Sequence, residues 1–194
     1  MDIVQVGEPV LRGKAKFLER NEIRSPKIHE LISAMRETMH NAPGVGLAAP
    51  QIGVTLALAI IEDKPEYMKD TPADVLASRG RKPVPFHVII NPTLTLHPGT
   101  AVEFFEGCLS LAGFTAIVPR AQDVRVECLD QHGEPQVIEA SGWYARILQH
   151  EIDHLNGTLY IDRMLSRSFS SVENHTKYWK DKSIAEIRMA IEPS

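Results

Sequence analysis

The sequence predicts an α+β domain in which short antiparallel β-sheets surround a central helix, with an N-terminal helix packed outside. Three observations carry that prediction. A single apolar helical stripe lies near the start, a series of short strand-like runs separated by turn residues fills the middle, and a helix apolar on two faces follows them. With 194 residues the chain fits one ordinary domain and can bury a real core. The expected organisation is one main unit over residues 1–165 and a tail over 166–194, helical in part.

Taken in order, Ser25-Pro26 reads as an N-cap followed by the proline allowed at the first helical position. Ile28, Leu31, Ile32, Met35 and Met39 follow at 3–4 spacing, so a core-facing helix is expected over 26–40. It ends at "NAPGVGLAAPQIG", where Pro43, Gly44 and Gly46 oppose continuation. A strand is expected over 55–62, "TLALAIIE". Residues 63–86 turn charged and proline-rich, which reads as a surface excursion with one helical turn rather than a domain linker. Strand signals resume in "HVIINPTLTL", "AVEFFEG", "FTAIVP", "DVRVECLD" and "QVIEA", with "DQHGEP" turning between the last two.

The segment "SGWYARILQHEIDHLNG" then switches to helical period. Trp143, Ile147, His150, Glu151 and His154 share one face, and Tyr144, Leu148, Ile152 and Leu155 another, so this helix is expected in the middle of the molecule. Gly157 stands where a left-handed C-terminal cap is useful. Beyond residue 166 the chain is polar, with Ile184, Ile187 and Ile191 marking a last amphipathic helix. There is no internal repeat and no sign of a second domain.

Apolar residues at 43% and charged residues at 24% are the balance of a water-soluble globular protein. A net charge of −4 argues against a protein built to bind nucleic acid or anionic membrane, and no apolar run is long enough for a bilayer span. The start, "MDIVQVGEPVLRG", has neither a secretory apolar region nor the Arg/Ser-rich look of a transit peptide. Of the two cysteines, Cys128 lies in a strand pattern and reads as a small buried apolar residue, while Cys108 has different neighbours.

Within the central helix, His150-Glu151-x-x-His154 carries chemistry. Residues four apart share a helix face with Cβ atoms about 5–6 Å apart, so two imidazoles can grip one divalent metal. Glu151 points beside it and can take a proton from metal-activated water and return it to a leaving group. The alternative is a buried polar helix whose histidines bond to backbone. Asp153 points off the motif face and reads as a surface or packing residue. Two imidazoles do not complete a site, and the downstream "LNGTLYIDRMLSRSF" lacks an extended third-ligand motif, leaving Asp162 and Glu173 as formal candidates. Upstream, "FFEGCLS" offers Cys108, whose thiolate would complete a Cys-His-His site with one open position.

Here the sequence resembles the peptide deformylases. "GVGLAAPQ" (44–51), "EGCLS" (106–110) and "QHEIDHLNG" (149–157) follow the family's three blocks in order. The resemblance implies Cys108, His150 and His154 as metal ligands and Glu151 as acid/base. It implies that the Gln51 side chain and the Leu109 backbone N–H receive the developing oxyanion. It implies a peptide-binding edge at Gly44, Val45 and Gly46, and further substrate contacts from Glu106, Gly107 and Ile147. Val45 and Ile147 would face the methionine pocket, with Phe104 and Trp143 either lining it or packing in the core; Arg120 would orient Glu106.

The implied reaction is removal of the N-formyl group from the N-terminal methionine of newly made peptides, releasing formate, as metal-activated water attacks the formyl carbon. The implied cofactor is one divalent ion per chain, Fe2+ natively, with Zn2+, Ni2+ or Co2+ able to replace it. Nascent N-formylmethionyl peptides, met at the ribosome exit, are the implied partners, with no nucleic acid or membrane. The long excursion and "EASGWYARILQHE" resemble the organellar, type 1A branch more than compact bacterial members, which leaves a bacterial cytoplasm and a mitochondrial or plastid interior as the two settings. A general metallopeptidase and an inactive metal-binding homologue are the competing readings. The Cys-His-His set argues against the first, and intact Gln51, Cys108 and Glu151 against the second.

Overall fold

A computed structural model describes residues 1–42, 44–99 and 101–191; Pro43, assigned above to the helix stop, lies outside them. A short α1 (Arg20–Ile23) leads into α2 (Pro26–His40), whose bounds coincide with the periodicity reading. Ser25 is its N-cap residue, but the hydroxyl donates to the Glu22 carbonyl instead of accepting from the helix. Next come β1 (Gly46–Ala48), β2 (Leu58–Asp63), α3 (Ala73–Ser78) and β3 (Val84–Leu96). After them follow β4 (Ala101–Cys108), β5 (Leu111–Ala121), β6 (Asp123–Leu129), β7 (Pro135–Ser141) and α4 (Gly142–Leu155). The chain continues through β8 (Ser170–Ser171), α5 (Val172–Tyr178) and α6 (Ile184–Ile191).

All paired strands are antiparallel. One sheet has the order β1-β2-β3-β6-β7 and the other β4-β5-β8. β2 begins three residues later than expected, because Lys16 takes the pairing capacity of 55–57: its N–H donates to Thr55 O and its carbonyl accepts from Ala57 N. The side-chain period of two explains why the larger sheet is filled on both faces. Leu58 and Ile60 of β2 pack with Ile28, Ile32, Met35 and Met39 of α2, while Ala59 and Ile61 pack with Leu148, Ile152 and Leu155 of α4. Each such aliphatic side chain stabilises the fold by about 1.5–3 kcal/mol when fully buried. α4 is thus held inside the molecule and α2 outside the sheet. The fold is the α+β arrangement the sequence predicts.

The excursion is more than surface. It holds α3, and its Arg81 makes a bidentate pair with the fully buried Asp63 at 2.8 Å. Arg79 stacks over Trp143 at 5.2 Å. Gly157 adopts φ +71° as the cap reading requires, with Arg12 O only 2.5 Å from where a Cβ would stand. Both cysteines are free thiols, and Cys128 is buried with its thiol pushed up to about 11 by burial. Among the described residues no helix is long and apolar enough to cross a membrane.

Candidate active site

Three separate segments converge on the buried face of α4. At the end of β4 the register with β5 shifts between Glu106 and Cys108, a bulge that re-aims the strand's last side chain. Cys108 Sγ then lies 3.2 Å from His154 Nε2. His150 supplies the third donor: one ligand atom each from Cys108, His150 and His154 lies within 4.8 Å of the others. Neither Asp162 nor Glu173 joins them. Asp162 is taken by Arg12 and the Leu159 N–H, and Glu173 is exposed on α5.

The Glu106 carboxylate fixes the orientation of His150. Its Oε2 lies 3.1 Å from His150 Nδ1, and since a carboxylate only accepts, Nδ1 carries the proton and Nε2 is left for a metal. Glu106 also receives Arg120 Nε and Nη2 at 2.9 Å and Arg146 Nη1 at 2.6 Å. Burial works to raise its carboxyl, but His150 and Arg120 outweigh that and hold it well below the usual range. Burial, reinforced by His150, drives His154 well below an ordinary imidazole and so favours the neutral ligand form. His150 is pulled the other way: burial is outweighed by Cys108 and Glu106. A cation beside the thiolate would take the place of that proton. A thiolate and two imidazoles are a donor set suited to one divalent ion, and His154 Nδ1, buried without a hydrogen-bond partner, does not compete with its Nε2.

Glu151 completes the floor. It is 4% exposed, its Oε2 has no hydrogen-bond partner, and burial pushes its carboxyl up to about 7. The carboxylate lies against the backbone of β1: a Cβ on Gly46 would stand 2.2 Å from Glu151 Oε1. Gly46 therefore makes room for the acid, a packing reason the peptide-approach reading had not included. Gln51 follows β1 in a 3-10 turn, and its Oε1 accepts from Ala48 N at 2.8 Å. That bond points the NH2 group into the site, 3.5 Å from Cys108 Sγ and 3.3 Å from Ser110 Oγ.

A cavity of about 490 Å3 opens over these groups. Gly44, Val45, Gly46, Gln51, Glu106, Gly107, Cys108, Leu109, Ile147, His150 and Glu151 all line it, while His154 lies beneath. Trp143 also lines it; Phe104 does not and packs against Trp143 instead, leaving its neighbour Phe105 in the wall.

Asp153 is not a surface residue. It is 6% exposed and pairs with Arg120 and, bidentately at 2.7 Å, with Arg163. Arg146 is the principal residue the sequence reading missed: 3% exposed, it binds Glu106 and the carbonyls of Val118 and Val102. Its signal was present, since Arg146 stands four residues before His150 on the same helix face.

Comparison with known proteins places the chain in a family. The profile described as polypeptide deformylase matches residues 1–169. The chain is 49% identical over 173 residues to "Peptide deformylase 1A, chloroplastic" of Solanum lycopersicum, covering 89% of this chain and 62% of that protein. It is 43% identical over 177 residues to "Peptide deformylase, mitochondrial" of Homo sapiens, covering 91% of this chain and 71% of that one. The chain thus spans less than two thirds of the length of the Solanum relative. Among solved structures, a Met-Ala-Ser-bound class I type b peptide deformylase from Acinetobacter baumannii superposes with a TM-score of 0.75 at 31% identity, over 84% of this chain and 98% of that one. By profile, by sequence over most of its length and by fold, the chain belongs to the polypeptide deformylase family.

Proposed function

We propose that the protein hydrolyses the formamide of N-formylmethionyl peptides and releases formate. The observation that carries this is the convergence of Cys108, His150 and His154 donors with Gln51 and Glu151 in one cavity beside the open edge of β1. An extended peptide can add to that edge as a further strand, its methionine side chain entering between Val45 and Ile147. A divalent ion on the three donors supplies Lewis acidity to the formyl carbonyl and to water. The chain's residues do the rest. Gln51, with the backbone N–H of Leu109, donates to the formyl oxygen as it gains charge. Glu151 accepts a proton from the attacking water and delivers it to the departing amine nitrogen as the C–N bond breaks. Glu106, held by Arg120 and Arg146, keeps the His150 ring in position.

Iron is the ion the family resemblance suggests, and the thiolate-imidazole donor set accommodates Fe2+ as well as Zn2+, Ni2+ or Co2+. The proposed partners are formylated nascent chains met as they leave the ribosome. The proposed settings are an organelle interior and a bacterial cytoplasm, the chloroplastic and mitochondrial names of two relatives supporting the first. Metal-loaded protein prepared without oxygen should release formate from formyl-Met-Ala-Ser and leave acetyl-Met-Ala-Ser intact. Internal peptide cleavage without formate would overturn the assignment in favour of a peptidase. Elemental analysis should find one ion per chain, and Cys108→Ala should lose it; unchanged metal content would exclude Cys108 as a ligand.

A further inference from the structure

One residue from the end of the chain, Val172, joins Phe114 in the cavity wall. Buried Ile147 and Arg146 line its inner part, whereas Phe114 and Val172 are 42% and 48% exposed and mark where it opens. β8 pairs with the start of β5, matching Phe114 with Ser171 and Thr115 with Ser170. That pairing lays Phe169 flat on Phe114, with ring centroids 5.1 Å apart and planes at 7°, and carries the chain straight into Val172. Three residues on, His175 stands edge-on to Phe105 of the same wall, centroids 4.3 Å apart. α6 ties the segment down from behind: Ile187 is 1% exposed and Arg188 bonds Glu103 of β4 at 2.8 Å. Val172 and His175 lie beyond the stretch matched by the family profile, which ends at residue 169.

A peptide extended along β1 sends its first side chain into the cavity. Side-chain alternation returns the third to the same face, about 7 Å further along the strand. We propose that β8 and the start of α5 are a specificity element, with Val172 and Phe114 forming an apolar shelf for the side chain at position three. The inference rests on the deformylase reading and narrows its substrate class to formyl-methionyl peptides with an apolar third residue.

With the full chain loaded with metal, kcat/KM for formyl-Met-Ala-Leu should exceed that for formyl-Met-Ala-Ser by about fivefold, the scale of partly burying a leucine side chain, and through KM rather than kcat. Val172→Asp, at an exposed position where folding is not at stake, should bring the ratio to about one or below, because leucine would then cover a charge. Phe169→Ser, which removes the ring behind Phe114, should lower the ratio part of the way. Equal kcat/KM for the two peptides in the unmutated protein, or a ratio unchanged by Val172→Asp, overturns the shelf. Formate from neither peptide would instead overturn the deformylase reading, and the shelf with it.

Discussion

Glu151 and Gly46 pack as a pair, because the acid occupies the space a side chain at 46 would need. Glu151→Gln keeps the shape but cannot accept a proton. Turnover should fall by about 10²–10⁴-fold with metal content unchanged, and retained turnover would exclude the acid/base role. Gly46→Ala places a methyl 2.2 Å from Glu151 Oε1 and 2.8 Å from its Cγ, so the carboxylate must move. A displacement near the reacting atoms of the order of 1 Å should cost about 10²-fold in kcat. Gly99→Ala, whose added Cβ would meet nothing within 4 Å, is the control and should match the unmutated protein in formate release. The motif spacing singled out Glu151 as the proposed acid/base. It could not reveal that the neighbouring strand has a glycine for the sake of this carboxylate, since 105 residues separate the two in the chain.

At the scale of elements, α2 and α4 illustrate two degrees of legibility. α2 packs one stripe against one sheet face, so 3–4 spacing reads it to the residue. α4 is covered all round, so its polar residues report on partners elsewhere: Arg146 and His150 on Glu106 of β4, and Asp153 on Arg120 of β5. Those pairings depend on register between strands and were only partly visible, Glu106 with Arg120 being foreseen and Arg146 and Asp153 not. Elsewhere Glu62 joins β2 to α2, accepting from Arg36 at 3.1 Å and meeting His40 at 2.5 Å. Burial works to raise its carboxyl, but His40 and Arg36 win and its folded-state pKa lies below the ordinary 4.5. The link therefore stabilises the fold above that ordinary value and is lost as pH falls through the lowered one. As pH falls below about 5, thermal unfolding should show a steeper loss of Tm for the unmutated protein than for Glu62→Gln, and equal slopes would exclude the link.

For the molecule as a whole, the site and the core share α4, so metal occupancy should be read out as global stability. A ligand at about a thousand times its Kd stabilises the native state by about 4 kcal/mol, which for a chain of this size raises Tm by about 10 °C. Chelation should lower Tm by that order and re-addition of a divalent ion should restore it, with Cys108→Ala insensitive to both treatments. A chelator-independent Tm in the unmutated protein would mean that no ion bridges β4 and α4. Local periods and short motifs determined α2, α4 and α6, most strands, the family resemblance and the residues proposed for the site, because each is written in a short local stretch; α1 and α5 were not read from them. Tertiary structure decided what no local window holds. It placed Gly46 against Glu151, set three arginines around Glu106 and Asp153, and brought Val172 of the tail to the cavity wall. Each depends on which surfaces the folded sheets bring together, and burial then turns those meetings into requirements: a charge without its partner, or a methyl without its space, has nowhere to go.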